Sequence, residues 1–412
     1  MENKKTVIIG GGAAGLFCAG LAAQRGLDVT VIDKNAKPAR KLLITGKGRC
    51  NVTNNCTPDE VLEHVRTNPR FLYSAIRAFL PSDTMRFFEE QGVELKTERG
   101  NRVFPVSDKA SDIVDALREF AKRAGVKIVS KTQAVAVGCE NGAVSKVLCG
   151  EGLGFDADAV VIATGGASYP LTGSNGDGYK LAKQLGHTII PPRPSLIPII
   201  TAEPWCSEMM GLSLKNVTLT VKNGKNKTIF HELGEMLFTH FGVSGPLVLS
   251  ASSYMTESVK TYRMTIDMKP ALDLAQLDAR ILRDFEEQKN KDFANSLGAL
   301  LPRKMIPIVI RLSGIPAETK VNSVTREQRR RLAALIKELP LTPVKFRPID
   351  EAIITAGGVA VKEISPKTME SKLIKGLYFA GEILDVDAFT GGFNLQIAFA
   401  TAYLAAQNLC GE

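Results

Sequence analysis

Three glycines near the start of the chain have the spacing that brings backbone N–H groups to a phosphate. Gly10, Gly12 and Gly15 form a G-x-G-x-x-G pattern between an apolar run at residues 5–9 and an Ala- and Leu-rich stretch at 13–25. In a strand, turn and helix of this kind, the N–H groups of the first helical turn face a pyrophosphate. The pattern alone is weak evidence, because glycine turns after strands are common.

An acidic residue strengthens this interpretation. Asp33 directly follows a second strand-like run at residues 27–32, where its carboxylate can accept hydrogen bonds from a ribose hydroxyl. The order strand, turn, helix, strand and acid predicts a dinucleotide-binding βαβ unit, the alternative being a merely structural one. This end of the chain does not separate NAD from FAD.

The C-terminal end favours FAD. Two further buried-type strands end in small residues that a cofactor can approach, at Thr164-Gly165-Gly166 and at Gly381-Glu382. The turn Gly391-Gly392 then opens a helix over roughly residues 394–408, whose N-terminus carries partial positive charge. Facing a flavin, that charge stabilises the reduced ring. The two ends together predict bound FAD, whereas the helix alone could be an ordinary amphipathic one.

Three side chains are candidates for handling a proton. His240 is the first, because imidazole titrates near neutral pH and its turn could extend over the flavin. Cys50 lies between Arg49 and Asn51, and neighbouring cations are expected to lower its pKa. Tyr169 is the third. The alternatives are a histidine that caps a helix or packs against the inserted domain, and a cysteine that packs within its loop.

Length and composition indicate what kind of protein contains these candidate residues. The chain has 412 residues, 44% of them hydrophobic, which predicts two or three domains. No apolar run approaches membrane-spanning length. The apolar stretch near the N-terminus contains the glycine turn, so we expect a cytoplasmic protein rather than a secreted one. The seven cysteines are scattered without a C-x-x-C pair, so neither a disulfide framework nor a metal site is predicted.

The order of patterns along the chain predicts a discontinuous domain. The phosphate loop and mixed helical and β-rich segments occupy residues 1–190, and the last strand and helix lie within 341–412. Between them, residues 191–268 alternate as antiparallel strands, and residues 269–340 have a helical pattern. Because the two FAD-contacting ends must meet, we predict an α/β FAD-binding domain formed by 1–190 plus 341–412, with the middle as an insertion.

The formal net charge of +9 is unevenly distributed. Six basic residues between Lys34 and Arg49 occur without an acid, and residues 269–339 carry 14 Lys and Arg against 9 Asp and Glu, including Arg329-Arg330-Arg331. Solvated helix faces explain most such runs. The alternatives are contact with the FAD phosphates for part of the first run, and a polyanionic partner such as RNA. Neither an RNP-type aromatic motif nor a zinc finger accompanies them.

Four longer motifs occur in order, at residues 45–54 (TGKGRCNVTN), 165–178 (GGASYPLTGSNGDG), 237–246 (LFTHFGVSGP) and 381–394. With them, essentially the whole chain resembles the BaiN-like (YhiN-type) FAD-dependent oxidoreductases. The resemblance implies a glutathione-reductase-like (Rossmann-type) FAD-binding domain with inserted β-barrel and helical subdomains. Arg49 is then expected to orient an anionic substrate or the FAD phosphates, and Glu382 to bind on the ribityl or pyrophosphate side. The complete set expected to bind FAD is Gly10, Gly12, Ala14, Gly15, Asp33, Lys34, Lys41, Gly48, Arg49, Cys50, Asn51, Thr164, Gly165, Gly166, Gly381, Glu382, Gly391, Gly392, Phe393 and Asn394.

Members of this family have been described as aminoacetone oxidases, as bile-acid enone reductases and as enzymes that form dihydrouridine in large-subunit rRNA. The resemblance therefore favours NAD(P)H-dependent reduction of a conjugated C=C bond, with an rRNA uridine as the leading substrate. A steroid-type enone and an amine are alternative substrates, and a flavin-containing RNA-binding factor without turnover is an alternative of a different class. Because there is a single phosphate loop, we expect NAD(P)H to bind transiently across the flavin. Alternatively, the substrate reduces the flavin and oxygen reoxidises it. The sequence leaves the oligomeric state open.

Overall fold

The computed structural model describes residues 4–410, which divide into two compact units, each with its own buried core. The discontinuous unit contains residues 4–195 and 348–410, and the inserted unit is Leu196–Arg347. Both borders lie a few residues after the predicted ones. Strand pairing is the reason. β12 (Ile189–Ser195) pairs with β20 (Ile354–Val359) and so belongs to the discontinuous unit, whereas β19 (Pro343–Phe346) pairs with β13 (Ile199–Thr201) and so belongs to the inserted unit. The division of the insertion at residues 268/269 stays a prediction.

A five-stranded parallel sheet lies at the centre of the discontinuous unit. Its strands are β1 (Lys5–Ile9), β2 (Asp28–Ile32), β7 (Lys127–Val129), β11 (Ala159–Ile162) and β21 (Leu377–Phe379). The order across the sheet is β21-β11-β1-β2-β7, and every neighbouring pair is parallel. β11 and β21 are buried throughout, as expected for parallel strands covered on both faces. The carboxyl ends of all five strands therefore lie along one edge.

Helices from both ends of the chain pack together beside this sheet. They are α1 (Ala13–Gln24), α5 (Ala110–Arg123) and α12 (Phe393–Asn408). α1 contacts β1, β2, α5 and α12, and α12 also contacts β21. The ring of Phe17 on α1 lies 5.4 Å from Phe399 on α12 and 6.3 Å from Phe120 on α5. These contacts hold the N-terminal and C-terminal segments in one core.

Smaller elements complete the discontinuous unit. One three-stranded sheet contains β3 (Thr53–Asn54), β5 (Leu95–Glu98) and β6 (Arg102–Pro105), and another contains β8 (Ala134–Glu140), β9 (Ala143–Cys149) and β10 (Gly154–Asp156). A third pairing joins β4 (Val65–Thr67) to β22 (Asp387–Ala388). The remaining helices are α2 (Pro58–Glu63), α3 (Tyr73–Ala78), α4 (Pro81–Glu90) and α6 (Asp177–Gln184).

The inserted unit is built on a seven-stranded antiparallel sheet. Besides β13 and β19 it contains β14 (Ser213–Lys222), β15 (Thr228–Thr239), β16 (Gly242–Ser244), β17 (Arg263–Asp267) and β18 (Leu339–Leu341), in the order β18-β17-β14-β15-β16-β13-β19. The two edge strands, β18 and β19, are separated only by Thr342, so one extended segment supplies both edges of the sheet. That the sheet forms a barrel stays a prediction. The helices are α7 (Trp205–Glu208), α8 (Pro246–Tyr254), α9 (Leu274–Glu287), α10 (Ile306–Ser313) and α11 (Arg326–Lys337).

No helix within residues 4–410 has both the length and the apolar character needed to cross a membrane.

Candidate cofactor-binding site

The candidate site lies at the carboxyl edge of the parallel sheet. Gly10, Asp33, Thr164 and Gly381 follow β1, β2, β11 and β21 within one or two residues. β1 lies between β2 and β11, so the chain order reverses at β1, and open α/β sheets bind ligands at such switch points. Ala14, in the first turn of α1, lies 3.1 Å from where a Cβ on Gly381 would stand. The two ends of the chain therefore meet here, as the sequence required.

The three glycines of the phosphate loop have different tasks. A Cβ on Gly10 would lie 2.6 Å from the carbonyl oxygen of Ala163, and one on Gly15 would lie 1.8 Å from that of Gly10. Both therefore allow close packing of strand and helix. A Cβ on Gly12 would meet only the Ala163 oxygen, at 4.0 Å, so this glycine faces open space. Gly12 is the N-cap of α1, which has neither a side-chain cap nor an acid in its first turn. Its N–H groups are available to a pyrophosphate.

The carboxylate of Asp33 is buried and held on both sides by backbone. Its Oδ2 accepts the N–H of Gly11 at 2.8 Å, and its Oδ1 accepts the N–H of Asn35 at 2.7 Å. Each oxygen keeps a lone pair for a further hydrogen bond, so the placement suits a ribose hydroxyl. The ammonium of Lys34, the next residue, forms an ion pair with Asp177 on α6 at 2.7 Å.

Glu382 is the centre of a second polar cluster at this edge. Its two carboxylate oxygens accept hydrogen bonds from Lys41 Nζ at 3.0 and 2.7 Å, and Oε1 also accepts the N–H of Thr355 at 2.9 Å. Lys41 donates further to Ser168 Oγ at 2.8 Å. The cluster ties the loops after β11 and β21 to β20. A carboxylate neutralised in this way suits a positioning or ligand-binding role rather than a base.

Arg49, which is expected to orient an anionic substrate or the FAD phosphates, has protein partners of its own in this unit. Its guanidinium forms ion pairs with Glu98 on β5 and with Asp108, the latter at 2.7 Å from Nε to Oδ1. It also lies over the ring of Phe104, 4.1 Å from the centroid. Two carboxylates satisfy this cation, so it fixes the 45–54 loop onto its neighbouring sheet.

The expectation that cations lower the pKa of Cys50 is wrong. The Cys50 side chain has no exposed surface, and burial raises its pKa to about 12. The adjacent guanidinium of Arg49 is directed to its own carboxylates, and the hydrogen bond with Thr45 offsets only part of the loss of hydration. A buried, neutral thiol fits the packing alternative.

The start of α12 is held by the loop that contains Thr53 and Asn54. Asn54 Nδ2 donates to the carbonyl of Gly391 at 3.0 Å, and a Cβ on Gly392 would lie 2.2 Å from the Thr53 carbonyl oxygen. The Asn394 side chain bonds back to the N–H and carbonyl of Ala388, at 3.0 and 2.9 Å. Gly392 is the N-cap, and the first turn of α12 has neither a side-chain cap nor an acid. This terminus is therefore free for an electron-rich ligand edge.

Several buried side-chain polar atoms of this unit have no hydrogen-bond partner among residues 4–410. Three of them belong to the 45–54 loop and to the segments that follow β11, and they are Asn51 Oδ1, Thr164 Oγ1 and the Tyr179 hydroxyl. Leaving such atoms unpaired costs roughly 1–3 kcal/mol each, so a bound ligand or water is expected beside them. With the open face of Gly12 and two uncapped helix N-termini, these residues fit a dinucleotide such as FAD.

Tyr179 was missed from the sequence, although a signal was present. It follows the Gly176-Asp177-Gly178 turn, and a Cβ on Gly178 would lie 1.9 Å from Thr164 Oγ1. α6 therefore begins against the carboxyl end of β11. Burial raises the pKa of Tyr179, with Glu382 and Asp385 acting in the same direction, so the phenol stays protonated.

Asp385 and Asp387 form a further acidic pair that the sequence reading did not assign to the site. Asn68 Nδ2 donates to Asp385 Oδ2 at 3.0 Å, while the fully buried Asp387 accepts the hydroxyls of Thr67 and Ser195. Burial raises the pKa of Asp385 despite the Asn68 hydrogen bond. For Asp387 the burial follows from the pairing of β22 with β4, which is a tertiary contact.

The two remaining proton-donor candidates lie in different units. Tyr169, in the discontinuous unit, is half-buried with a backbone φ of 54°, and burial together with Glu351 raises the pKa of its phenol. His240 lies in the inserted unit, exposed in the tight turn between β15 and β16, with its ring 4.9 Å from that of Phe241. It caps no helix. Both roles stay predictions.

Full-length relatives of the chain were found among proteins of known function. The family model described as the HI0933-like protein Rossmann domain matches residues 4–408. A ribosomal RNA dihydrouridine synthase of Escherichia coli is 32% identical over 412 residues, covering 99% of this chain and 98% of the relative. One of the same name from Haemophilus influenzae is 35% identical over 415 residues, covering 99% of each. A 3-dehydro-bile acid delta(4,6)-reductase of Clostridium scindens is 31% identical, covering 97% of each.

Solved structures of low sequence identity share the fold. A 3-ketosteroid delta1-dehydrogenase from Sterolibacterium denitrificans has a TM-score of 0.54 and 14% identity, covering 99% of both chains. A quinol-fumarate reductase has a TM-score of 0.53 and 16% identity, covering 99% of this chain and 71% of that one. The predicted fold class, a Rossmann-type FAD-binding domain interrupted by an insertion, is confirmed.

Proposed function

This chain belongs to the HI0933-like family of FAD-dependent oxidoreductases, and from that premise we propose that it reduces a C=C bond conjugated to a carbonyl. The proposed substrate is a uridine of large-subunit rRNA, and the proposed electron donor is NAD(P)H. The observation that carries the proposal is the full-length similarity, at 32% and 35% identity, to two proteins named ribosomal RNA dihydrouridine synthase.

A second candidate has the same chemistry on a small molecule. The relative named 3-dehydro-bile acid delta(4,6)-reductase is 31% identical over 405 residues, close to the values of the other two. Dihydrouridine formation and saturation of an enone both add two hydrogens across a C=C bond polarised by a carbonyl. The reaction type is thus common to both candidates, and only the substrate distinguishes them.

Bound FAD supplies a reservoir of two electrons that is delivered as hydride. The chain's own residues hold and orient it. When FAD is bound, the N–H groups after Gly12 would hold the pyrophosphate, Asp33 would accept a hydrogen bond from a ribose hydroxyl, and the uncapped start of α12 would stabilise negative charge on the flavin. Asn51, Thr164 and Tyr179 have the unpaired polar atoms that complete the cradle.

Reduction of the double bond also needs a proton, which a side chain must hold at the start of the reaction. We propose His240 as the donor, because it is exposed and lies in a tight hairpin turn of the inserted unit. Tyr169 is the alternative, since its raised pKa keeps the phenol protonated at neutral pH. Cys50 is the weakest candidate, because it is fully buried.

The electron donor is proposed from the single G-x-G-x-x-G loop. The loop serves FAD, so NAD(P)H has no second motif of this type and would bind only while it transfers hydride. One NAD(P)H is oxidised to NAD(P)⁺ for each double bond saturated, with the second hydrogen entering as a proton.

The test is anaerobic. The purified flavoprotein is reduced, and flavin absorbance is followed after mixing with unmodified large-subunit rRNA transcript, a 3-oxo-4,6-diene steroid or buffer; the oxidised protein is mixed separately with aminoacetone. We expect rRNA to reoxidise the flavin and one uridine to gain two hydrogens by mass spectrometry. Native rRNA that already carries the modification is the matched control and should leave the flavin reduced.

Each other outcome replaces the proposal. Reoxidation by the steroid alone makes the protein a small-molecule enone reductase. Reduction of the oxidised flavin by aminoacetone, without reaction of either acceptor, makes it an amine oxidase. Tight rRNA binding with no flavin reaction in any arm makes it an RNA-binding factor with a structural flavin.

A further inference from the structure

Five cations gather at one end of the sheet in the inserted unit, which we call the basic end: Lys222, Lys225, Lys227, Lys260 and Arg263. Lys222 ends β14 and Arg263 begins β17, and the two are direct partners in the antiparallel register. The turn after β14 adjoins the segment before β17, since a Cβ on Gly224 would lie 3.7 Å from Thr261. Residues 222–227 and 260–263 therefore form one surface.

The backbone of this surface is well fixed. Asn223 Oδ1 accepts the N–H groups of Lys225 and Lys227 at 3.1 and 3.0 Å, and the Asn223 N–H donates to the carbonyl of Lys227 at 2.9 Å. Val221 and Met264, one step further along the paired strands, are buried in the core. The lysines therefore project from a rigid hairpin, which reduces the ordering needed when a ligand binds.

The basic end differs from the two basic runs that the sequence singled out. Ion pairs occupy cations of those runs, at Lys34 with Asp177, Lys41 with Glu382, Arg49 with Glu98 and Arg329 with Asp278. No side chain of the basic end forms an ion pair with any residue from 4 to 410. Glu257 is the one acid within the segments 222–231 and 257–263. The positive charge of the basic end is therefore not neutralised by ion pairs within residues 4–410, so it is available to bind a polyanion.

Hydroxyl and imidazole groups continue the same sheet face. Thr220, two residues before Lys222, is paired in register with both His231 and Thr265, and Thr220 Oγ1 lies 2.9 Å from His231 Nδ1. Lysine, arginine and threonine side chains are the usual contacts to phosphate and sugar of a nucleic acid. A row of cations with adjoining hydroxyls follows a phosphate backbone better than it fits a single small anion.

We propose that the basic end binds the phosphate backbone of the RNA substrate. The proposal rests on the proposed function, because an RNA substrate is what gives this surface a partner. It assigns positioning of the RNA to the inserted unit and cofactor binding to the discontinuous unit.

The test compares two triple variants of the full-length flavoprotein. One carries Lys225→Gln, Lys227→Gln and Lys260→Gln in the basic end. The control carries Lys183→Gln, Lys289→Gln and Lys367→Gln. These lysines are exposed, their side chains form no hydrogen bond or ion pair within residues 4–410, and the control removes the same charge. Binding of unmodified large-subunit rRNA transcript is measured from about 0.05 to 0.3 M salt. We expect the basic-end variant to lose on the order of tenfold or more in affinity and its logarithmic salt slope to fall by roughly 2–3.

Flavin absorbance and the thermal midpoint should be equal in both variants and wild type, because all six lysines are exposed. Equal RNA binding and an equal salt slope in the two variants would overturn the basic end as the RNA surface, even if wild type forms dihydrouridine. Conversely, failure of wild type to modify any uridine overturns the proposed function, whatever the binding curves show.

Discussion

Gly12 and Gly15 lie three residues apart, and their surroundings predict opposite consequences of the same substitution. Gly12→Ala adds a methyl group that touches no protein atom closely, at a φ of −79° that alanine adopts freely. The methyl occupies the open space where a pyrophosphate would approach. We expect FAD affinity to fall by at least about tenfold, or ~1.4 kcal/mol, with an unchanged melting temperature of the apoprotein.

Gly15→Ala serves as the contrast, because its methyl group would stand 1.8 Å from the Gly10 carbonyl oxygen. This variant should lower the melting temperature of the apoprotein. FAD titration by fluorescence quenching and thermal unfolding of both apoproteins check the pair. A Gly12→Ala protein that melts early, or that binds FAD like wild type, would show that the loop is structural.

Cys50 is expected to be a packing residue. Cys50→Ala should retain reduction within a few-fold of wild type and lose about 1 kcal/mol of stability, as when a single buried group is deleted. In the native protein, iodoacetamide should label the exposed Cys139 and leave the neutral, buried Cys50 unlabelled. A loss of activity above a hundredfold with FAD still bound would instead make Cys50 the acid.

The proton donor can be assigned by two conservative variants. His240→Gln should slow product formation by roughly 10²–10⁴, the usual contribution of general acid catalysis, while flavin binding stays unchanged. Tyr169→Phe should stay within about tenfold of wild type. Single-turnover reoxidation of reduced flavin by the substrate, measured across pH, separates the two. If the large loss appears in Tyr169→Phe alone, the assignment is reversed.

Among the elements, α12 depends on one buried amide. Gln396 Oε1 accepts the hydroxyls of Thr53 and Thr84 at 2.7 and 2.6 Å, and its Nε2 donates to the Phe79 carbonyl at 2.9 Å. Gln396→Leu leaves these groups without a partner. We expect a loss of roughly 2–4 kcal/mol in unfolding free energy. Denaturant unfolding compares Gln396→Leu, Thr53→Val and the double variant. The double variant should lose less unfolding free energy than the sum of the two single losses, whereas additive losses would refute the shared hydrogen bond.

Elements whose signals are local were predictable. The β1–α1–β2 segment, its glycines and Asp33 appear where the sequence placed them, because strand, turn and helix signals lie within about thirty residues. The direction of the Cys50 pKa shift was wrong because burial comes from tertiary packing, and because the carboxylates that pair with the Arg49 guanidinium lie 49 and 59 residues away in sequence. The burial of Tyr179 and Asp385 is a result of tertiary packing, although the Gly176-Asp177-Gly178 turn before Tyr179 was a local signal. Side-chain partners, rather than elements, limited the prediction.

At the scale of the whole molecule, one buried histidine makes the free energy of unfolding decrease at acidic pH. His187 Nε2 lies 3.0 Å from Ser371 Oγ and its Nδ1 lies 3.4 Å from Glu363, yet burial outweighs the carboxylate and lowers the pKa of His187 below its ordinary 6.5. As pH falls through about 6.5, the unfolded chain takes up a proton that the folded protein refuses. Stability is therefore fully present above that pH and declines below it, by at most about 1.4 kcal/mol per pH unit.

His187→Gln removes the group that takes up this proton. The difference in unfolding free energy between wild type and variant should therefore change with pH only below about 6.5. Urea unfolding at a series of pH values measures it. A parallel pair of curves for wild type and His187→Gln would show that His187 titrates alike in both states.

The insertion of Leu196–Arg347 between the two segments of the discontinuous unit also orders events during protein synthesis. β1 leaves the ribosome early, but β21 and α12 come from the last part of the chain, on the order of tens of seconds later at ordinary translation speed. All strands of the inserted unit are synthesised before β21, the strand at one edge of the parallel sheet. Flavin uptake must therefore be post-translational or nearly so. A chain that has bound flavin is one in which Leu377–Asn408 has already been synthesised.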